Sequence, residues 1–180
     1  EDLAPFGMDA LKRRIRAVPS THRLSMDFEF GKKKYSPKSA PHVSAKNTFD
    51  AVLEGTRTAT TGKPRRFEKV NIGDLIEIHS KNDASGSKVH AIVTAKRDTD
   101  GLTPEQWAGK EGYDPNVAEE SWNIYKEGHT QIEYEVVAIS RKDGSTHYFT
   151  PGIMEPYYRG PKDPLTEGLS KSLKHEKRIP

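Results

Sequence analysis

The spacing of apolar and polar residues changes period several times along the chain, and each change marks an element. In "MDALKRRIRAVP", Met8, Leu11 and Ile15 share one helical face, and Pro19 closes the segment. "LSMDFEFG" alternates Leu24, Met26, Phe28 and Phe30 with Ser25, Asp27 and Glu29, the period of a half-buried strand. "GKKKYSPKSAPH" has the composition of an exposed connection. "KNTFDAVLEG" predicts a short helix capped by Asn47 or Thr48. Its apolar side is Phe49, Val52 and Leu53, and Gly55 provides a left-handed exit. Strands are predicted over 58–61, in "DLIEIHS" and in "KVHAIVTAK", the last two joined by the hairpin-type loop "KNDASG".

"LTPEQW" carries a helix start. Thr103 caps, Pro104 takes the first helical position, Gln106 completes a capping box, and Leu102 can staple onto Trp107. "DPNVAEESWNIYKEG" predicts a helix begun at Asp114 and Pro115 and stopped by Gly128. "QIEYEVVAIS" is a long strand that "RKDGST" turns back into "HYFT". Beyond Gly152 the chain reads as an extended arm. Strands of this length around short helices predict an α+β fold with a small, strongly curved or closed sheet.

Composition narrows the class. Of 180 residues, 33% are apolar and 31% charged, which suits one soluble domain with a core. Cysteine is absent, so disulfide frameworks and cysteine zinc sites are excluded, as fits a reducing, cytoplasmic setting. No apolar run reaches the ~20 residues of a membrane span, and no signal-peptide pattern opens the chain. Its first residue is glutamate, as expected of a processed or excised piece. Charge is uneven: about +7 over residues 1–70, about −7 over 71–140 and about +3 over 141–180. That asymmetry fits a surface facing a polyanion, or simply solvated faces.

Candidate chemistry concentrates at "EGTRTATTGKPRR". Arg57, several hydroxyls, Lys63, Arg65 and Arg66 lie within a dozen positions. Strand alternation places Thr58 and Thr60 on one face and Arg57, Ala59 and Thr61 on the other, so only a twist or bulge near Gly55 joins Arg57 to Thr60. The structural alternative is a threonine-rich strand with exposed cations. Acidic partners are available in Glu111, Asp114, Glu119 and Glu120. Glu111 precedes Gly112 at the end of the stapled helix and is predicted at an exposed corner, where the helix dipole disfavours it. The seven histidines show no metal-ligand spacing, and no phosphate-binding glycine loop or serine nucleophile motif occurs. Trp107 and Trp122 sit at core positions of their helices, whereas Tyr113, Tyr148, Tyr157 and Tyr158 are placed for exposure.

"TFDAVLEGTRTATT", then "VNIGDLIEI", then "LTPEQWAGKEGYDPN" before "QIEYEVV", together resemble the ASCH domain family of the PUA-like superfamily, small β-barrels associated with RNA. The resemblance covers about residues 47–139. It implies a PUA-like barrel over 47–150 with short flanking helices, an N-terminal extension over 1–46 and a basic tail over 151–180. Bacterial acetylcytidine amidohydrolases look similar across the corner and the later helix. Their catalytic lysine, threonine and glutamate fall on Arg57, Thr60 and Glu111. The sequence departs from the family at Arg57, which stays charged where a lysine can act as a base, and at Gly62, where the family usually has an arginine.

Three readings follow. The first is binding of RNA, other single-stranded nucleic acid or a modified nucleoside, in a cleft between the 57–66 corner and the 103–114 helix. There Arg57, Lys63, Arg65 and Arg66 would contact the ligand. The second is a hydrolase in that cleft, an amidohydrolase on an acylated nucleobase or a ribonuclease, with Arg57, Thr60 and Glu111 as catalytic group. The third is a protein-interaction module using "KRRIR" and "KSLKHEKR". None calls for a metal or other cofactor.

Overall fold

The computed structural model of the chain describes residues 7–27, 47–114, 116 and 118–149. The expectations for Phe28, Phe30, the lysine-rich connection, Tyr157, Tyr158 and the 151–180 tail lie outside the described residues. Four helices and six strands appear in the order α1 (Gly7–Arg16), β1 (Arg23–Ser25), α2 (Thr48–Glu54), β2 (Ala59–Gly62), β3 (Leu75–His79), β4 (Lys88–Asp98), α3 (Pro104–Glu111), α4 (Glu119–Tyr125), β5 (Thr130–Ser140) and β6 (Thr146–Tyr148). They form one mixed α+β unit. The sheet runs β1-β3-β4-β5-β2, with β6 also paired to β5. Only β1 and β3 are parallel.

The expected closed barrel is not formed by the described residues. The strand path is open, with β1 and β2 at its ends. Both end strands are short, and Lys63 and Pro64 carry the chain from β2 into a 3-10 turn, Pro64–Phe67. Proline has no N–H to lengthen the β2 ladder. Curvature comes instead from two bulges in the β4–β5 ladder, where Val137 and Thr94 are each the extra residue. On its second edge β5 pairs with β2 through residues 130–133 and with β6 through residues 138–140.

Both faces of the central strands are covered, so Leu75, Ile76, Glu77 and Ile78 of β3 are all buried. Ile76, Ile78, Val89, Ala91 and Val93 pack with Phe49, Val52 and Leu53 of α2 and with Phe67 and Val70. Each such buried side chain contributes roughly 1.5–3 kcal/mol relative to exposure. The opposite face buries Leu75, Ile92 and Val137 under Leu11 and Ile15 of α1. The segment expected as an N-terminal extension is therefore built onto the sheet through α1 and β1. A third cluster joins Trp107, Ala108, Tyr113 and Ala118, with Leu102, Trp122 and Tyr125 packed around it.

The end signals of α2 and α3 act as expected, whereas α4 starts later than Asp114, at Glu119, and ends at Tyr125, ahead of Gly128. Asn47 Oδ1 accepts from the Asp50 N–H at 2.8 Å, and Gly55 leaves α2 with φ 80°. Thr103 and Gln106 form both halves of the capping box. Tyr113 departs from expectation, being buried against Trp107 with ring centroids 5.3 Å apart. Its neighbour Gly112 turns the chain back onto the Trp107 ring.

His90, 1% exposed, lies on the α1 face of β4 beside Glu77. Burial, helped by the Lys88 charge, pushes its pKa down to about 4. A histidine depressed below its unfolded value of about 6.5 makes the unfolded chain bind more protons at acid pH. Stability is therefore complete above about pH 6.5 and falls as pH drops toward 4, by up to about 3 kcal/mol from this group. Urea melts across that range should show the decline, and His90→Gln should remove this histidine's share.

Candidate functional site

The corner after α2 and the end of α3 meet back to back. Gly112 leaves α3 with φ 82°, and a Cβ there would lie 3.3 Å from Arg57 Cβ and 3.4 Å from the Thr56 carbonyl oxygen. A left-handed glycine permits that approach. The Thr58 N–H donates to the Lys110 carbonyl at 2.8 Å, and Arg57 Nη1 donates to the Glu111 carbonyl at 2.8 Å. The guanidinium thus caps the negative end of α3, which offsets the dipole penalty of a glutamate at that end.

Glu111 is consequently not on an exposed corner. It is 2% exposed, with Arg57 at 6% and Thr60 at 3%. Arg57 Nη2 lies 3.3 Å from Glu111 Oε1 and donates to Thr60 Oγ1 at 3.0 Å. β2 begins only at Ala59, so Arg57 precedes the strand and escapes its alternation. The three side chains expected to converge do so.

Four further residues complete the network, and none was assigned a role in it from sequence. Thr61 Oγ1 donates to Glu111 Oε2 at 2.9 Å and accepts from Trp107 Nε1 at 3.0 Å. Gln131 Nε2 donates to the same carboxylate oxygen at 3.0 Å, while its Oε1 accepts from Arg97 Nη1 at 2.9 Å. Arginine has only donors, so this contact fixes which way the Gln131 amide points. Thr61 and Gln131 are direct partners in the β2–β5 register, which sets both against the carboxylate. No pattern along the sequence singled out Gln131, since β5 also carries Glu133 and Glu135.

Burial and neighbouring charges act in opposite directions on this network. Burial pushes the Glu111 pKa upward, opposed by Arg57, Gln131 and Thr61. Burial alone would lower the Arg57 pKa, yet Glu111 and the phenols of Tyr113 and Tyr134 outweigh it, so the guanidinium stays charged. Burial likewise raises Tyr113, Tyr125 and Tyr134, leaving all three phenols neutral. Arg57 Nε and Tyr134 Oη make no hydrogen bond of good geometry among the described residues, although the guanidinium's charge acts on that phenol.

These groups border a polar cavity of about 40 Å³, lined by Arg57, Thr60, Thr61 and Glu111 together with Arg66, Tyr113 and Tyr125. Arg66 arrives there because Lys96 Nζ donates to the Phe67 and Val70 carbonyls, at 2.7 and 2.8 Å, and pins the turn. Gly62 makes room: a Cβ there would lie 3.1 Å from Arg66 Cδ and 3.1 Å from Phe67 Cε2. The stem of Arg66 runs where a side chain at position 62 would begin. Lys63 and Arg65 are exposed on the same turn and do not line the cavity. Among the described residues no cluster of histidine and carboxylate groups is arranged to hold a metal, and no helix is long and apolar enough to cross a membrane. Comparisons with known protein families, with curated proteins and with solved structures find no match to this chain.

Proposed function

We propose that the chain binds single-stranded nucleic acid, RNA in the first instance, or a nucleotide, by taking the polar edge of one base into the Arg57 cavity. The observation that carries this reading is the convergence of a guanidinium, a hydroxyl and a carboxylate on one small polar space flanked by two tyrosines and Arg66. The resemblance to ASCH domains, with their PUA-like fold, supports it from the sequence side.

Size decides what enters. About 40 Å³ holds little more than one water molecule, far below the ~300 Å³ at which sites for whole small ligands begin. An exocyclic amine or carbonyl fits the floor, and the rest of the base lies at the mouth, against Tyr125 and Arg66. Bases offer such an edge freely only when unstacked, which favours single strands. Lys63, Arg65 and Arg66 would then meet the phosphates.

Hydrolysis is the weaker reading on chemical grounds. Arg57 remains a cation and directs an N–H at Thr60 Oγ1, which draws electron density from the atom that would attack. Turnover of acetylcytidine abolished by Thr60→Ala would replace binding with catalysis.

Titration of labelled protein with nucleosides and short single strands is expected to move the Arg57 Nε–H and Trp107 Nε1–H resonances saturably. Three phosphate contacts predict that log K falls with log salt at a slope of about −2, and each of Arg65→Ala and Arg66→Ala should reduce that slope by about 0.7. Unmoved resonances with every ligand would rule out the cavity as the site.

A further inference from the structure

The face of the sheet under α1 carries a second polar cavity, of about 460 Å³, that shares no lining residue with the Arg57 cavity. Five cations from separate segments border it. Arg16 comes from the last turn of α1, Arg23 from β1, Lys88 from the start of β4, and Arg141 and Lys142 from the turn after β5. Strand register accounts for the gathering. Arg23, Glu77 and His90 lie side by side across β1, β3 and β4, and Lys88 lies opposite Ser140. Gly86, with φ 64°, lets the hairpin loop close on the β5–β6 turn, where a Cβ would lie 3.3 Å from Lys142 Cβ.

Negative charge is scarce around this cavity. Among the described residues Glu77 is the one carboxylate that lines it, and it also lies 3.9 Å from His79 Nδ1. Asp143, in the neighbouring turn, accepts from the Ser145 N–H and hydroxyl and also interacts with the Arg141 charge. Beneath the cations sits His90, with Nε2 2.7 Å from Ser140 Oγ and Nδ1 without a partner among the described residues. The depressed pKa keeps this ring neutral near pH 7. In the tautomer that accepts from Ser140, Nδ1 carries an unused N–H.

We propose that this cavity binds a multiply charged phosphate group. Five like charges drawn to one concavity repel each other, and a dianionic or trianionic occupant relieves that repulsion. Guanidinium forks and ammonium groups suit phosphate oxygens. The volume falls within the ~300–1,000 Å³ range of small-molecule sites. This site stands whether or not the Arg57 cavity takes a base.

The first probe is inorganic pyrophosphate, added to the labelled full chain in low-salt buffer. Saturable shifts are expected at the Lys88, His90 and Lys142 amides, without shifts at Arg57 or Glu111. Arg23 and Lys88 are exposed, so the double variant Arg23→Glu, Lys88→Glu should keep the native melting midpoint while weakening pyrophosphate about tenfold or more. A short single-stranded RNA is the second probe. Competition with pyrophosphate at these amides supports the site and identifies a nucleic-acid backbone as the phosphate source. Saturable pyrophosphate binding without competition supports it and identifies a free phosphorylated compound. Absent or non-saturating shifts, or equal affinity in the charge-reversed variant, would overturn the proposal.

Discussion

Glu111→Ala is expected to lower the folding free energy by about 3–5 kcal/mol, the cost of leaving one member of a buried ion pair unpaired. Arg57 is 6% exposed and would keep its contacts to Thr60 Oγ1, the residue-111 carbonyl and the Tyr113 ring but no carboxylate partner. Thr61 and Gln131 would lose their shared acceptor at the same time. Urea unfolding measures the loss, and a change below about 1 kcal/mol would mean that water reaches the site and solvates the guanidinium. The double variant Arg57→Met, Glu111→Leu provides the informative contrast. Buried pairs exchanged for apolar residues of similar volume often lose nothing. A double variant as stable as the native chain, but blind to nucleosides, would show that the pair is retained for the ligand. Equal loss of stability and binding would show a structural strut.

Trp107→Ala is expected to cost about 3–5 kcal/mol as well, by a different route. The indole is fully buried and packs within 6 Å, centroid to centroid, of Tyr113, Trp122 and Tyr125, so its removal empties the third cluster. Trp107→Phe separates packing from polarity. It keeps most of the ring and deletes only the donor to Thr61 Oγ1, for about 1 kcal/mol. Thr61 then loses one of the two bonds that orient its hydroxyl toward Glu111. Ligand affinity should fall in Trp107→Phe more than its stability loss alone predicts. Unchanged affinity would confine Trp107 to packing.

The ends of α2 and α3 were legible because their causes lie within four residues, whereas the start of α4 was not. Asn47 and Gly55 bound α2, and Thr103, Gln106 and Gly112 bound α3, by contacts between near neighbours. Strand β3 was legible from the strand-like segment "DLIEIHS", but not that α1 covers its second face, since α1 lies some sixty residues away. Reading Tyr113 as exposed failed for a related reason. A residue just past a helix end looks solvated until the helix is known to point inward.

The chain's own letters determined which segments coil and extend, where α2 and α3 begin and stop, and that Arg57, Thr60 and Glu111 carry complementary chemistry. Tertiary structure alone decided that the sheet remains open, that Glu111 is interred and that Thr61 and Gln131 converge on it. Arg57 and Glu111 are 54 positions apart, and their meeting depends on the β2–β5 register and on the close passage of Gly112 over Arg57. Such contacts are set by how whole elements pack, which no period of two or 3.6 residues encodes.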